Sequence, residues 1–358
     1  MKLPTTPEAI TPEWLTHALG WSVQSVEVEP VPAGSGFVGQ AAHLRLTYDR
    51  PEEGAPTAMF AKLSSPVPEV REQLRSIGLF ETEAGFYRDL GPEIPVRIPR
   101  AYAAIYSDDT AESLLLLEEI GHMRFGDNVT GCSPEDARLV IRTLAELHAH
   151  FWNSPRLKRL AWLRTADHDV ASATPLYEAM LPAFEQRFAE IVPASALHAA
   201  RTLGQGFGEW MQQQGTGPQT LAHGDFRPDN FAFDEQGPVV FDWQGLRRSR
   251  GTRDLAYFLA FGVAVEQRRS TEHDLLHLYH ETLLENGVKD YRFDDLQANY
   301  RTSLGSPVLT MVIAGGILDF SSERGKHLVE CLSERIAAAV EDHDFAVAVA
   351  RTSPMASG

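Results

Sequence analysis

Residues 221–244 read L-A-H-G-D-F-R-P-D-N-F-A-F-D-E-Q-G-P-V-V-F-D-W-Q, and they carry more information than any other stretch of the chain. Two short apolar runs, 231–233 and 239–241, flank the turn-forming residues D-E-Q-G-P at 234–238. Apolar runs separated by such a turn predict a β-hairpin.

The ends of this hairpin carry two oxygen-bearing side chains. With the turn centred near Gln236, Asn230 just before the first strand and Asp242 just after the second become cross-strand neighbours, about 5 Å apart at Cα. Mg²⁺ takes few protein oxygens and completes its octahedron with water and substrate phosphates. Asn230 and Asp242 are therefore the candidate metal ligands.

Asp225 precedes Asn230 by five residues, in a loop that Pro228 keeps out of helix. It is the candidate acceptor of a hydroxyl proton. An Asp, four residues and an Asn is the spacing of the kinase catalytic loop, in which Asp orients the nucleophile and Asn holds a metal. The alternative is that Asp225, Asp229 and Asn230 are only turn formers.

Histidines near these residues are expected to be structural. His223 is expected to hydrogen-bond the loop rather than act as a base or a zinc ligand, because it has no partner at ligand spacing. His148 and His150 are interpreted as core or surface residues for the same reason.

A glycine-rich segment, G-S-G-F-V-G at 34–39, lies between predicted strands at 26–31 and 41–48. A dinucleotide-binding fold would need a helix directly after it, whereas these residues alternate with a period of two. The pattern predicts a strand-turn-strand whose amides approach phosphates, although an ordinary glycine-rich hairpin fits it equally. The nucleotide-binding candidates here are Gly34, Ser35, Gly36 and Gly39.

Met59-Phe60-Ala61-Lys62 lies on the next predicted strand, 57–63, and resembles the V-A-I-K of kinases. A lysine within an apolar strand needs an anionic partner, because an isolated ammonium is costly to bury. Glu83 or Glu81 can supply the carboxylate, and Glu83 is preferred because Phe86 and Tyr87 follow it as aromatic anchors. The alternative is a surface lysine with a solvated stem.

Four leucines at 114–117 lead into Glu118-Glu119-Ile120-Gly121 at the predicted boundary between a first and a second lobe. The main-chain atoms of Glu118 and Ile120 are the candidates for contacts with an adenine edge. Any strand that enters a linker would show the same pattern.

The rest of the chain predicts an α+β protein with a β-rich front and a helical rear. A short helix begins at Thr11-Pro12-Glu13 and ends at Gly20, one long helical insertion covers 68–90, and a hairpin pairs 102–106 with 114–117. A capped helix then starts at Ser133, with apolar residues on one face at Val140, Leu144, Leu147 and Phe151. The site is expected where the two parts meet.

Composition excludes several classes of function. Among 358 residues, 49 acidic against 32 basic side chains give a net charge of −17, which repels phosphate polymers and anionic lipids. Nucleic-acid and membrane partners are therefore not expected. Two cysteines, no apolar leader and no membrane-length apolar stretch favour a cytoplasmic location.

With these motifs in place, the chain resembles the aminoglycoside phosphotransferase and choline kinase-like superfamily. H-G-D-x-x-x-x-N at 223–230, D-W-Q at 242–244 and L-H-A-H-F-W at 147–152 look most like its ecdysteroid kinase-like branch. The resemblance implies a protein-kinase-like bilobal fold. It places a small antiparallel lobe with one main helix at 1–119 and a larger, mostly helical lobe containing the catalytic hairpin at 120–358.

The resemblance also implies roles for individual residues. Asp225 would be the catalytic base and Asp254 a brace for its loop, and the acceptor would be an alcohol group of a small molecule. Lys62 with Glu83 would position the phosphates of ATP or GTP, and Asn230 with Asp242 would hold Mg²⁺. The chain departs from the family pattern at Phe226-Arg227-Pro228-Asp229, which replaces the frequent Leu-His-Pro-Gly.

Two other functions compete with this hypothesis. A kinase-like module that binds nucleotide without transferring phosphate has the same motifs, and a protein kinase is disfavoured because no Asp-Phe-Gly to Ala-Pro-Glu segment is present. Steroid-like, amino-alcohol and antibiotic acceptors all remain open, and the sequence predicts no oligomeric state.

Overall fold

The computed structural model describes residues 2–32, 39–50, 53–75 and 77–350. The chain divides into two units, the first formed by 1–124 with 239–245 and the second by 125–238 with 246–358. The strands are β1 Val23–Pro30, β2 Gln40–Tyr48, β3 Ala58–Leu63, β4 Ala101–Tyr106, β5 Ser113–Glu118, β6 Arg124–Phe125, β7 Thr220–Ala222, β8 Phe231–Asp234, β9 Gly237–Val240 and β10 Arg247–Ser249.

The α-helices follow one another through most of the second unit. They are α1 Pro12–Leu19, α2 Pro68–Arg75, α3 Leu79–Gly85, α4 Pro134–His150, α5 Ala166–Phe188, α6 Ala194–Gln205, α7 Phe207–Gln214, α8 Thr252–Gly262, α9 Val265–Glu285, α10 Phe293–Ser303, α11 Gly305–Ile317, α12 Glu323–Asp342 and α13 Phe345–Ala350. The predicted α+β class is confirmed. None of the helices in the described ranges has the length and apolar character needed to cross a bilayer.

The first unit is organised around a five-stranded sheet in the order β1-β2-β3-β5-β4, with every neighbouring pair antiparallel. Alternation of buried and partly exposed residues along β3 follows the period of two of the sequence. This register puts Lys62 opposite Ala41 on one neighbour and Leu115 on the other. Lys62 is therefore fixed from both sides by backbone pairing.

The short helix α1 forms where the sequence predicts it. The Thr11 side chain accepts a hydrogen bond from the Trp14 amide at 3.2 Å, and Gly20 ends the helix in the left-handed region at φ 77°. Trp14 and Leu15 are buried in the same apolar cluster as Leu44 and Met59 of the sheet. The helix thus covers one face of the sheet.

The helical stretch predicted at 68–90 is helical over most of its length, but it is divided rather than continuous. Helix α2 ends at Arg75, Gly78 adopts φ 65°, and α3 begins at Leu79. After α3 the backbone continues as a π-helical turn over Phe86–Leu90. Because a left-handed residue cannot continue an α-helix, Gly78 separates the two segments. Glu83 therefore lies on a short helix of its own.

In the second unit, α4 begins as predicted, with the Ser133 hydroxyl accepting from the Asp136 amide at 3.0 Å. Val140, Leu144, Leu147 and Phe151 are all buried. The short antiparallel pair β7 and β10, in which Ala222 lies opposite Arg247, is not among the predicted strands. Strands of three residues are too short for a periodic signal.

Candidate active site

The first group of predicted site residues converges on Lys62 within the first unit. The Lys62 ammonium lies 2.7 Å from Glu83 Oε1 and 2.9 Å from Asp242 Oδ1. Glu83, rather than Glu81, is therefore the partner on α3. The Lys62 ammonium, which is partly buried, thus joins β3 to α3 and to the segment after β9.

The opposite charges of Lys62 and its two carboxylate partners determine the pKa values in this group. Burial alone would lower the pKa of Lys62, but the carboxylates of Asp242 and Glu83 outweigh it and raise that pKa above its ordinary value. Burial raises the pKa of Glu83, which is 4% exposed, although the charge of Lys62 opposes this change. Lys62 is therefore positively charged at neutral pH.

The backbone around Asp242 is shaped to present its carboxylate. Asp242 has φ 64°, a left-handed conformation that Asp tolerates better than most residues. The next residue, Trp243, stacks on Phe86 with ring centroids 4.1 Å apart, and its amide hydrogen-bonds the Glu83 carboxylate. Gln244 Nε2 donates to Asp242 Oδ2 at 3.3 Å. The segment 242–244 is thereby tied to α3.

Of the glycine-rich candidates, the structure describes Gly39, while Gly34, Ser35 and Gly36 lie outside the described residues. A Cβ at Gly39 would lie 2.0 Å from the carbonyl oxygen of Leu63, so no other residue fits there without moving β3. Gly39, Lys62 and Gln244 line a shared concavity of the first unit. The glycine keeps the chain close against the strand that carries Lys62.

Glu118 and Ile120 lie at the end of β5 and just beyond it. The Glu118 amide donates to the Arg100 carbonyl at 2.8 Å, and the Ile120 carbonyl accepts from the Met123 amide at 2.9 Å. No acceptor for the Ile120 amide occurs among the described residues. Both residues also line a cavity of about 480 Å³ in the first unit. Their contact with a nucleobase stays a prediction.

The second group of predicted residues lies within the second unit and is centred on Asp225. Asn230 Nδ2 donates to the Asp225 carbonyl at 2.8 Å and to its Oδ2 at 3.0 Å. Tyr257 of α8 donates its hydroxyl to Asp225 Oδ1 at 2.7 Å, and Arg227 Nε lies 3.1 Å from the same oxygen. The carboxylate is held in one orientation.

These contacts keep Asp225 ionised. Burial alone would raise its pKa, but the charge of Arg227 and hydrogen bonds from Tyr257 and Asn230 outweigh it, and the pKa lies below its ordinary value. Asp225 is therefore a carboxylate at neutral pH. Such a group can orient a hydroxyl and accept its proton as the transition state forms.

Asp254, at the start of α8, braces the loop that carries Asp225. Its carboxylate accepts from the amides of His223 at 2.6 Å and Gly224 at 2.9 Å, and Gly224 has φ 84°. His148 Nε2 lies 3.3 Å from it, while His148 Nδ1 lies 2.7 Å from the Tyr279 hydroxyl. His148 is thus a buried core residue whose polar atoms support the brace, and His150 is exposed.

A second support holds the loop from residue 128. Asp229 accepts from the Asn128 amide and from Asn128 Nδ2, both at 2.8 Å, and its own amide donates to Asn128 Oδ1 at 3.3 Å. A Cβ at Gly126 would lie 2.3 Å from the Pro228 carbonyl oxygen. Asp229, which departs from the family pattern, therefore has a local structural role.

Tyr257, Arg227 and Asn128 are the site residues that sequence reasoning missed. Tyr257 follows Asp254 by three residues, so both project from the same face of α8. That spacing was the available signal for Tyr257. Asn128 lies 101 residues from its partner and offered no signal.

The donor set suits a hard cation and a nucleotide. The Asn230 amide nitrogen is used by Asp225, and its oxygen accepts no hydrogen bond from the described residues. Asp242 contributes a carboxylate, and carbonyl and carboxylate oxygens are the ligands that Mg²⁺ prefers. Lys62 supplies a cation for phosphate oxygens. Each of these side chains, taken within its own unit, therefore has a group of the kind that Mg²⁺ or a phosphate requires.

Solved structures with the same fold include several small-molecule kinases. A Ralstonia eutropha protein assigned as an aminoglycoside phosphotransferase is 14% identical, with 94% of this chain and 97% of that chain covered and a TM-score of 0.56. An amicoumacin kinase, solved with AMP-PNP, Ca²⁺ and Ami, is 12% identical, with 87% of each chain covered and a TM-score of 0.54. The predicted protein-kinase-like fold is confirmed.

A choline kinase from Cryptosporidium parvum Iowa II is 10% identical, with 90% of this chain and 89% of that chain covered and a TM-score of 0.53. No curated protein matches the sequence significantly. The model of the ecdysteroid kinase-like family matches residues 33–291, which is more than half of the chain and includes both groups of site residues. The chain therefore belongs to the ecdysteroid kinase-like family.

Proposed function

We propose that the protein is an ATP- or GTP-dependent phosphotransferase that requires Mg²⁺ and phosphorylates a hydroxyl group of a small molecule. Membership of a family of small-molecule kinases supports phosphotransfer in general. The nucleotide, the metal and the alcohol acceptor are the finer parts of the proposal.

The observation that carries the proposal is the position of Lys62. Its ammonium pairs with Glu83 on a helix and with Asp242 after the hairpin. In kinases, a strand lysine paired with a helical glutamate positions the nucleotide phosphates, and the aspartate holds a metal. An ion triad of this composition supports phosphoryl transfer better than a purely structural role, because buried ion pairs add little to stability.

Asp225 supplies the acceptor side of the chemistry. Held by Tyr257 and Asn230, its carboxylate orients the acceptor hydroxyl and accepts its proton as the new bond to phosphorus forms. Lys62 neutralises phosphate charge. Asn230 and Asp242 are the residues that would hold Mg²⁺, which would supply positive charge next to the phosphates.

Asp225→Asn tests the proposal. Purified protein is incubated with radiolabelled ATP or GTP, Mg²⁺ and pools of small hydroxyl compounds, and labelled products are separated. We expect transfer by the wild type and a loss of about 10²–10⁴-fold in the variant, since its amide cannot accept the proton. The matched control is Asp234→Asn, at the exposed end of β8, which should keep full activity.

Three results would reject the proposal. Equal transfer by wild type and Asp225→Asn would remove Asp225 from its role. Binding of nucleotide with no product from any alcohol would favour the kinase-like module without transfer activity. Label found in added proteins rather than in small molecules would indicate a protein kinase.

A further inference from the structure

Arg335 of α12 is a buried arginine whose hydrogen bonds go to main-chain carbonyls. It is 7% exposed. Its Nη1 donates to the carbonyls of Asn128 and Phe261, both at 2.6 Å. Its Nη2 donates to the carbonyl of Val129 at 2.7 Å. A guanidinium suits this arrangement, because its N–H donors lie in one rigid plane and reach several acceptors at once. Arg335 therefore joins residues 128–129 to the end of α8, two segments far apart in the sequence.

At the end of α8, Arg335 supplies a hydrogen bond that the helix itself lacks. The last four carbonyls of an α-helix have no partner within it, and Phe261 is the second-last residue of α8. The carbonyl of the next residue, Gly262, accepts from the Cys132 amide at 2.7 Å. A positive side chain at this end of the helix also suits the helix dipole. Arg335 thus fastens the segment 128–132 to the end of α8.

Asn128 connects Arg335 to the loop that carries Asp225. Its carbonyl accepts from Arg335, while its amide and side chain make three hydrogen bonds with Asp229, two of them at 2.8 Å. Asn128 is fully buried, so water does not compete for these bonds. Asp229 directly precedes Asn230, a candidate metal ligand. The position of Asn230 therefore depends on where Arg335 holds Asn128.

Phe261 connects Arg335 to Asp225 itself. The Phe261 ring stacks on the ring of Tyr257, with centroids 4.5 Å apart and planes 10° from parallel. The Tyr257 hydroxyl in turn donates to Asp225 Oδ1 at 2.7 Å. Tyr257 and Phe261 lie four residues apart on one face of α8. Because Arg335 fixes the end of this helix, it also fixes where the Tyr257 hydroxyl meets the carboxylate.

We propose that Arg335 is a positioning residue that holds Asp225 and Asn230 in their reactive arrangement. It acts through two routes, one through Asn128 and Asp229 and the other through α8. Both routes start from one guanidinium, so loss of that group loosens both supports of the loop together. A displacement of reacting groups by about 1 Å can slow catalysis by about 10²-fold. The catalytic consequence rests on the proposed function, whereas the support of the loop does not.

Hydrogen–deuterium exchange tests the support of the loop and needs no activity. In Arg335→Ala the amides of 223–230, several of which are hydrogen-bonded, should exchange at least about tenfold faster than in the wild type. The amides of α5 should keep their rates. Arg335 also lines a cavity of about 550 Å³ in the second unit, so its truncation opens the guanidinium position to a small cation. Added methylguanidinium should restore slow exchange, whereas tetramethylammonium, which has no N–H donor, should not.

Steady-state kinetics tests the catalytic consequence. We expect kcat per folded molecule to fall by about 10–100-fold in Arg335→Ala and to recover with methylguanidinium, with the KM for nucleotide changed by less than about threefold. A purely structural residue would lower the amount of folded protein and leave kcat per folded molecule unchanged. Arg335→Lys keeps the charge but loses the planar fork, and should lie between wild type and Arg335→Ala. The matched control is Arg201→Ala, an exposed arginine paired with Glu185, which should behave as wild type in both measurements.

The role of Arg335 is overturned by any of three results. Equal exchange at 223–230 in wild type and Arg335→Ala would show that Arg335 does not support the loop. Exchange accelerated equally in the loop and in α5 would indicate a general loss of stability. Faster loop exchange with unchanged kcat would show that this support does not serve catalysis. If the wild type transferred no phosphate, the proposed function would fail, and loop exchange alone would then support or overturn the role of Arg335.

Discussion

The two groups of acidic residues in this protein are held in different ways. In the first unit, Glu83 and Asp242 are held by the charge of Lys62. In the second unit, Asp225 is held by the charge of Arg227 together with two neutral donors, the Tyr257 hydroxyl and the Asn230 amide. Both groups are partly buried, yet only the first depends on a cation with two anionic partners.

The difference corresponds to the chemistry that each group is proposed to perform. A lysine that is paired with carboxylates can replace one of these interactions with one to a phosphate oxygen, because carboxylate and phosphate are both anions. A base must keep one orientation and one protonation state; the charge of Arg227 favours the ionised form of Asp225, and the hydrogen bonds from Tyr257 and Asn230 fix its orientation as well. Substitutions in the two groups should therefore differ in their effects on stability and on catalysis.

The largest effect is expected at the brace of the second group, in Asp254→Asn. An amide offers one acceptor where the carboxylate accepts from both loop amides, so one buried N–H loses its partner. We expect the free energy of unfolding to fall by about 3 kcal/mol, with kcat reduced in parallel. Urea unfolding measures the first quantity and transfer assays the second.

The matched control for this variant is Asp294→Asn, which removes an exposed carboxylate on α10. It should change the unfolding free energy by less than about 0.5 kcal/mol. Unchanged urea midpoints for both variants would show that the Asp254 carboxylate does not support the loop.

The next effect is expected in the first group, in Lys62→Met, and it concerns catalysis more than folding. Loss of the cation leaves two buried carboxylates side by side and removes a contact to phosphate, so kcat/KM should fall by about 10²–10³-fold. The double variant Lys62→Met with Glu83→Gln should be more stable than Lys62→Met alone, because one of the unpaired charges is gone. Thermal unfolding and steady-state kinetics measure both effects.

Lys326→Met, at an exposed lysine of α12, is the control for loss of a lysine charge and should behave as wild type. If Glu83→Gln failed to recover any stability in the Lys62→Met background, charge would not be what holds the first group.

The smallest effect is expected for Tyr257→Phe, and it should appear in the pH profile. The Tyr257 hydroxyl stabilises the ionised form of Asp225 and so contributes to lowering its pKa. Without it the pKa rises, and the acid limb of the kcat/KM profile moves to higher pH. At pH values above the limb, activity should change by less than about tenfold.

A Tyr106→Phe variant, in β4 of the first unit, should leave that limb in place. An acid limb that stays at the wild-type pH in Tyr257→Phe would mean that Asp225 is not the group that titrates.

Local patterns predicted the elements whose signals lie within a few residues. Thr11 and Ser133 each cap a helix by accepting a hydrogen bond from the amide three residues further along the chain. Strands β2 and β3 were predicted from the alternation of apolar and polar residues. The spacing of Asp225 and Asn230 also fixed which residues share a loop. Gly78 is the counterexample, because a single left-handed residue divides a helix without changing the apolar pattern on either side.

Contacts between residues distant along the chain are determined by the tertiary structure and could not be predicted from local patterns. Tyr257 reaches Asp225 across 32 residues, His148 reaches Asp254 across 106, and Lys62 reaches Asp242 across 180. Residue type and spacing identified Lys62, Glu83, Asp225, Asn230 and Asp242 as polar groups in apolar surroundings. Which of them pair depends on how strands and helices pack, because a buried charge takes whichever partner the packed backbone brings within hydrogen-bond distance.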